Sequence, residues 1–204
     1  MNSFPIPAQT LHYEQTIKNS RFISYLAHAP SPELAHQIID QYRLQYADAR
    51  HVCWAFIAGQ PRFTTAVSCS DDGEPAGTAG KPMLNVLQHG EVGEIVAVVI
   101  RYFGGIKLGT GGLVRAYSSS VAEAYKLLPT RLKVPIQRFQ LNLAYPLEDV
   151  TRRMLASYGC AIESADYQTQ LSLLCRGAQD QVQLFRKALQ EVGRGQIELA
   201  LFLE

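Results

Sequence analysis

Glu94-Ile-Val-Ala-Val-Val-Ile-Arg-Tyr102 is the most strand-like stretch of this 204-residue chain, with three Val and two Ile. A β-branched run of this length predicts a buried strand. Next comes Phe103-Gly-Gly-Ile-Lys-Leu-Gly-Thr-Gly-Gly-Leu113, a glycine-rich loop, and then a helix predicted over 113–128 and ended by Pro129. A loop that carries a buried strand into a helix leaves amide groups exposed, and these suit an anion.

Working outward, 52–58 reads as a strand buried on both faces, 64–69 as a short strand and 82–88 as a helix. Upstream, 10–17 and 21–28 alternate as a hairpin about the turn Lys18-Asn19-Ser20. A helix then opens at Ser31, Pro32 and Glu33 and runs to about Tyr46, with Leu34, Ile38, Ile39 and Tyr42 as its apolar stripe. Downstream, 130–135 reads as a linker. Beyond it come a strand (137–145), a helix (147–158), strands (161–167 and 169–176), a helix (178–192) and a strand (196–202). That order, βαββαβ in about 70 residues, is the ferredoxin-like arrangement. Leu147, Val150, Met154, Leu155 and Tyr158 mark its first helix, with Gly159 as a left-handed stop. Val182, Phe185, Leu189 and Val192 mark its second. The expected fold class is α+β, with domains 1–133 and 134–204.

Composition narrows the function. Net charge is +1, charged residues make up 18% and hydrophobic residues 47%. This is globular composition, against both a strongly basic nucleic-acid binder and a disordered chain. No run approaches the roughly 18 apolar residues of a membrane span. The first residues lack a secretory pattern, and Cys53, Cys69, Cys160 and Cys175 form no C-x-x-C pair. Reduced thiols, a cytoplasmic location and no membrane partner are therefore expected.

Ten glycines fall between Gly73 and Gly112, where average usage gives about three. They lie mostly in two loops, Ser70-Asp-Asp-Gly-Glu-Pro-Ala-Gly-Thr-Ala-Gly-Lys-Pro82 and the one after Arg101. Neither is a known nucleotide fingerprint. Gly80-Lys81 is followed by Pro82, and Gly109-Thr-Gly-Gly-Leu-Val114 lacks the last glycine of G-x-G-x-x-G. Between Lys81 and Lys133 stand seven Lys or Arg against three Glu. Basic groups beside free amides suit a phosphate or an RNA backbone. The expected anion site is Lys81, Arg101, Gly104, Gly105, Lys107, Gly109, Gly111, Gly112 and Arg115. Tyr102, Phe103 and Tyr117 are candidates to stack bases. Tight packing of helix on sheet is the competing account of the glycines.

Asp71, Asp72 and Glu74, around Gly73, fit either a Mg²⁺ or acid–base site or a structured turn, and the turn is the preferred reading. His51 and Cys53 share a strand face without a third orienting group, so no nucleophilic pair is assigned. No catalytic set, metal or cofactor is expected.

The two loops, with Lys18-Asn-Ser-Arg-Phe-Ile23 and Asp48-Ala-Arg-His-Val-Cys53, strongly resemble the IMPACT family over most of residues 14–126. The resemblance implies a first domain of the ribosomal protein S5 domain 2-like fold, with a left-handed β-α-β arrangement. The tail is similar to the α/β domains of elongation factor G that bacterial members carry. Eukaryotic members regulate translation by competing for an activator of the amino-acid-starvation kinase, and they carry a different accessory domain; this chain lacks that domain, so that role does not carry over. For this chain the resemblance implies a non-enzymatic protein associated with RNA or the ribosome, with a protein partner in translation control also in view. An enzyme acting on a phosphorylated small molecule and a protein–protein adaptor are the alternatives.

Overall fold

The computed structural model describes residues 3–190 in full, the backbone of 191–193, and residues 197–202. The chain forms two compact units, Phe4–Lys133 and the chain from Val134 onward.

The first unit is built on strands β1 (Phe4–Pro7), β2 (Leu11–Ile17), β3 (Ser20–His28), β4 (His51–Ile57), β5 (Val67–Ser70), β6 (Ile95–Tyr102) and β7 (Thr130–Lys133). Its helices are α1 (Pro32–Gln45), α2 (Gly80–His89) and α3 (Thr110–Leu127). Five strands make an antiparallel sheet in the order β2-β3-β6-β4-β5. The Val/Ile run is β6, at its centre, and its two-residue period sorts the side chains. Val96, Val98 and Ile100 face α1, where Ala35, Ile39 and Tyr42 meet them. Ile95, Ala97 and Val99 face α2 and α3. By the same alternation position 101 takes the α2/α3 side, which puts a charged side chain on the face those helices cover.

Ser31 caps α1 as expected, its Oγ accepting the Leu34 amide at 3.3 Å, with Pro32 in the first helical turn. Leu34, assigned to the stripe, is instead 42% exposed, and Ala35 takes the buried place. The rest of the stripe holds, with Ile39 and Tyr42 buried and Ile38 packed beside them. Helix α3 starts at Thr110, three residues earlier than predicted, so Gly111 and Gly112 lie in its first turn.

The segment expected to be a linker is β7, paired with β1 in the register Phe4↔Lys133 to Pro7↔Thr130. Pro5 and Pro7 lack the amide that a central strand needs. A separate two-stranded ribbon accommodates them.

The second unit comprises β8 (Ile136–Leu143), a 3₁₀ turn (Tyr145–Leu147), α4 (Glu148–Ser157), β9 (Ala161–Tyr167), β10 (Leu171–Ala178), α5 (Gln179–Gly193) and β11 (Ile197–Leu201). The sheet is antiparallel in the order β11-β8-β10-β9. Phe139, Leu141 and Leu143 alternate inward from β8, against Leu155, Val182, Phe185 and Leu189. On α4, Thr151 and Leu155 are the buried residues, and Val150 stays partly exposed. Gly159 stands at φ 64, as a left-handed stop requires. The side chain of Val192 and residue 196, both included in the sequence reading, lie outside the described residues. All four cysteines are free thiols, and burial pushes the Cys175 thiol up to about 12. No described helix is long and apolar enough to cross a membrane.

Candidate functional site

Sheet register builds the site. Arg101, at the end of β6, is paired across the sheet with Phe22 of β3 on one side and His51 of β4 on the other. Its guanidinium carbon lies 5.7 Å from the ring centroids of both Phe22 and Phe103. Nη1 donates to Glu74 Oε1 at 2.7 Å, and the Tyr117 hydroxyl of α3 donates to the same oxygen at 2.8 Å. The Glu74 and Arg101 side chains are only 3% and 8% exposed. Arg101 Nε has no hydrogen-bond partner among the described residues.

Above this pair opens a concavity of about 400 Å³. Its wall includes Arg50, His51, Arg101, Phe103, Lys107 and the start of α3 from Gly109. Lys107 and Arg50 are exposed and join no ion pair among the described residues. The N-cap of α3 is Gly109, at φ 73, which supplies no side-chain acceptor, and the first turn holds no acid. The first-turn amides therefore point outward uncapped, at the positive end of an 18-residue helix.

The expected site residues separate. Arg101, Lys107 and Gly109 share this concavity. Gly112 and Arg115 line a neighbouring one that also includes Leu108 and Lys18. Lys81 lines a third, between α2 and α3. Gly105 has φ 85, with open space around it. Gly104 is a packing glycine, since a Cβ there would stand 2.0 Å from the Asn19 carbonyl. Of the aromatic candidates, Phe103 alone lies at the concavity, 58% exposed. Tyr117 is buried edge-on to Phe22, and Tyr102 donates to Asp48 at 2.8 Å. Sequence reasoning misses two groups. Arg50 sits in the Asp48–Cys53 motif without a pattern of its own to mark it as a site residue, and the buried role of Glu74 gives no periodic signal.

The acidic loop is a structured turn around two well-occupied carboxylates. Asp71 accepts the amides of Gly77 (2.7 Å), Ala79 and Gly80 (both 2.9 Å), and so serves the N-terminus of α2 from a distance. Asp72, at φ 41, accepts the Val52 amide at 2.7 Å and Arg43 at 3.1 Å. Its carbonyl lies 2.9 Å from His51 Nδ1, which must therefore carry the proton. Gly73 takes φ 83 between them. The Cys53 thiol lies 3.0 Å from the Asp71 carbonyl and 3.4 Å from the Tyr117 hydroxyl, and burial raises its pKa. Thiolate chemistry is correspondingly disfavoured there. Among the described residues no three His, Cys, Asp or Glu side chains are grouped to hold a metal.

Asp71 yields a prediction. Burial works to raise its pKa, but the three amides outweigh this and hold it below the ordinary aspartate value. A carboxyl depressed in the folded chain stabilises fully above its unfolded value, near 3.9, and that stability is lost as pH falls toward the folded value. Asp71→Asn is expected to be less stable at pH 7, and its urea midpoint should fall less steeply between about pH 5 and 3. Parallel pH profiles for parent and variant would show that the amides do not hold the charged form.

The chain is similar to known proteins over nearly its whole length. The Impact N-terminal domain family matches residues 18–125. An IMPACT family member of Haemophilus influenzae is 40% identical over 98% of both chains, and IMPACT family member YigZ of Escherichia coli is 42% identical over 98% of both. IMPACT family member YvyE of Bacillus subtilis is 45% identical over 54% of this chain and 50% of its own length. A crystal structure described as that of a hypothetical protein shares 42% identity and a TM-score of 0.71, covering 100% of this chain and 98% of its own. A crystal structure from Thermus thermophilus at 12% identity and TM-score 0.52, of which this chain covers 29%, is a likeness of fold alone.

Proposed function

This chain belongs to the IMPACT family, and from that premise we propose that it is a non-enzymatic cytoplasmic protein that binds RNA or a ribosomal surface. Its role would lie in the control of translation. The carrying observation is the concavity where Arg50, Arg101 and Lys107 surround the uncapped start of α3, with Phe103 exposed beside them. Lys81 adds positive charge in the concavity between α2 and α3, and Arg115 in the one that Lys18 and Leu108 also line. Fixed amides, guanidinium and ammonium groups together suit phosphate oxygens.

In this reading residues 1–133 are an S5 domain 2-like domain. Residues 134–204 are a ferredoxin-like domain similar to those of elongation factor G, supported by the βαββαβ order and the sheet order β11-β8-β10-β9. The translation link rests on the fold resemblance and the family, and a protein partner in that process is part of it.

The enzymatic alternative draws on Glu74, which lines the same concavity. Its carboxylate is already engaged by Arg101 and Tyr117, which favours a structural use. Filter binding of bulk cellular RNA across a salt series tests the proposal. The combined variant Lys81→Ala, Lys107→Ala, Arg115→Ala is expected to bind more weakly. Its log–log salt slope should be shallower by about two, at ~0.7 for each phosphate no longer neutralised. A folded variant with the parent's affinity and slope would remove this face from consideration.

A further inference from the structure

The concavity is shaped for one end group more than for a running strand. Its three basic residues come from three separate places, Arg50 before β4, Arg101 at the end of β6 and Lys107 in the loop before α3, and they converge on one bowl. A volume of about 400 Å³ is within the range of small-molecule sites, roughly 300–1,000 Å³.

The start of α3 adds donors. The amides at the start of α2 are taken by Asp71, whereas α3 begins with Gly109 and has no side-chain acceptor. Beside those amides, Arg101 is more than nine-tenths buried, lines the bowl and leaves Nε unpartnered among the described residues.

A phosphate monoester carries more charge than a backbone diester and offers three acceptor oxygens to such a set of donors. The exposed ring of Phe103 at the bowl gives a flat apolar surface next to it, as base stacking needs. Resting on the RNA-binding reading above, we propose that this concavity seats the phosphate monoester of a nucleotide, free or at the 5′ end of an RNA, with its base against Phe103.

The test uses the full chain and one fluorescent single-stranded RNA in two forms, 5′-phosphate and 5′-hydroxyl. A nucleoside 5′-monophosphate and the matching nucleoside serve as competitors, and calorimetry measures monophosphate binding directly. The 5′-phosphate form is expected to bind about tenfold more tightly, the worth of one charge-assisted hydrogen bond. Lys107→Ala should abolish that preference. Competition by the monophosphate without any 5′ preference assigns the site to a free nucleotide. Monophosphate binding with no RNA binding at all would support the site and overturn the RNA reading. Equal affinity for both RNA forms with no competition overturns the monoester site and leaves RNA binding standing. No binding of either RNA or monophosphate overturns both.

Discussion

Glu74→Ala is expected to cost about 3–5 kcal/mol of stability, the scale for stripping one partner from a buried ion pair. The Arg101 guanidinium would remain in the interior, between two aromatic rings, with its Nη1 acceptor gone and Nε already unpartnered. The Tyr117 hydroxyl would lose its acceptor as well. Truncating the exposed pair Glu123–Lys126, with side chains 46% and 66% exposed, should cost under about 1 kcal/mol. Replacing both buried partners, Glu74→Leu with Arg101→Met, should recover much of the single-variant loss, since no charge is then left buried. Urea unfolding of the four proteins decides. A Glu74→Ala loss no larger than that of the surface pair would mean that the interior pair carries no such weight.

The second large effect is at Gly104. Its Cβ would stand 2.0 Å from the Asn19 carbonyl and 2.5 Å from the Ser20 amide nitrogen, both rigid backbone. The turn between β2 and β3 would have to move, and the Gly104 amide would lose the Ser20 hydroxyl at 3.2 Å. Gly104→Ala is expected to cost about 3 kcal/mol, the upper end for forcing atoms into packed space. Gly105→Ala, one residue on, meets no atom within 4 Å and carries only the strain of φ 85, about 1–2 kcal/mol. Denaturant midpoints for the two variants check the order. Equal losses would mean that the turn yields freely, and that Gly104 is kept for conformation and not for fit.

Legibility in the sequence extends as far as its signals reach. Periodicity gives faces, so the run 94–102 is readable as a buried strand and Phe185 and Leu189 as a buried stripe. Neighbours are a different matter. That Phe22, Arg101 and His51 lie side by side depends on the order β3-β6-β4, which no local pattern states. The glycine loops point to the right region, but they group Lys81 and Arg115 with Arg101 when three concavities divide them. Glu74 reads as one of three loop acids, yet the chain turns it inward while Asp71 and Asp72 stay with backbone amides. The segment 130–133 has no alternation and reads as linker, because its partner lies at the far end of the unit.

That pairing has an architectural consequence. Phe4 and Lys133 are register partners in one ribbon, so the chain enters and leaves the first unit at the same spot. A unit whose ends meet can be spliced into a loop of a host protein without stretching that loop, as terminal proximity permits in general. The second unit follows Lys133 in the sequence, so both borders of the first unit lie on this one ribbon. A graft of the segment 4–133 would present both ends on one ribbon, whereas a graft beginning at Thr10 would leave β1 behind and β7 without its partner.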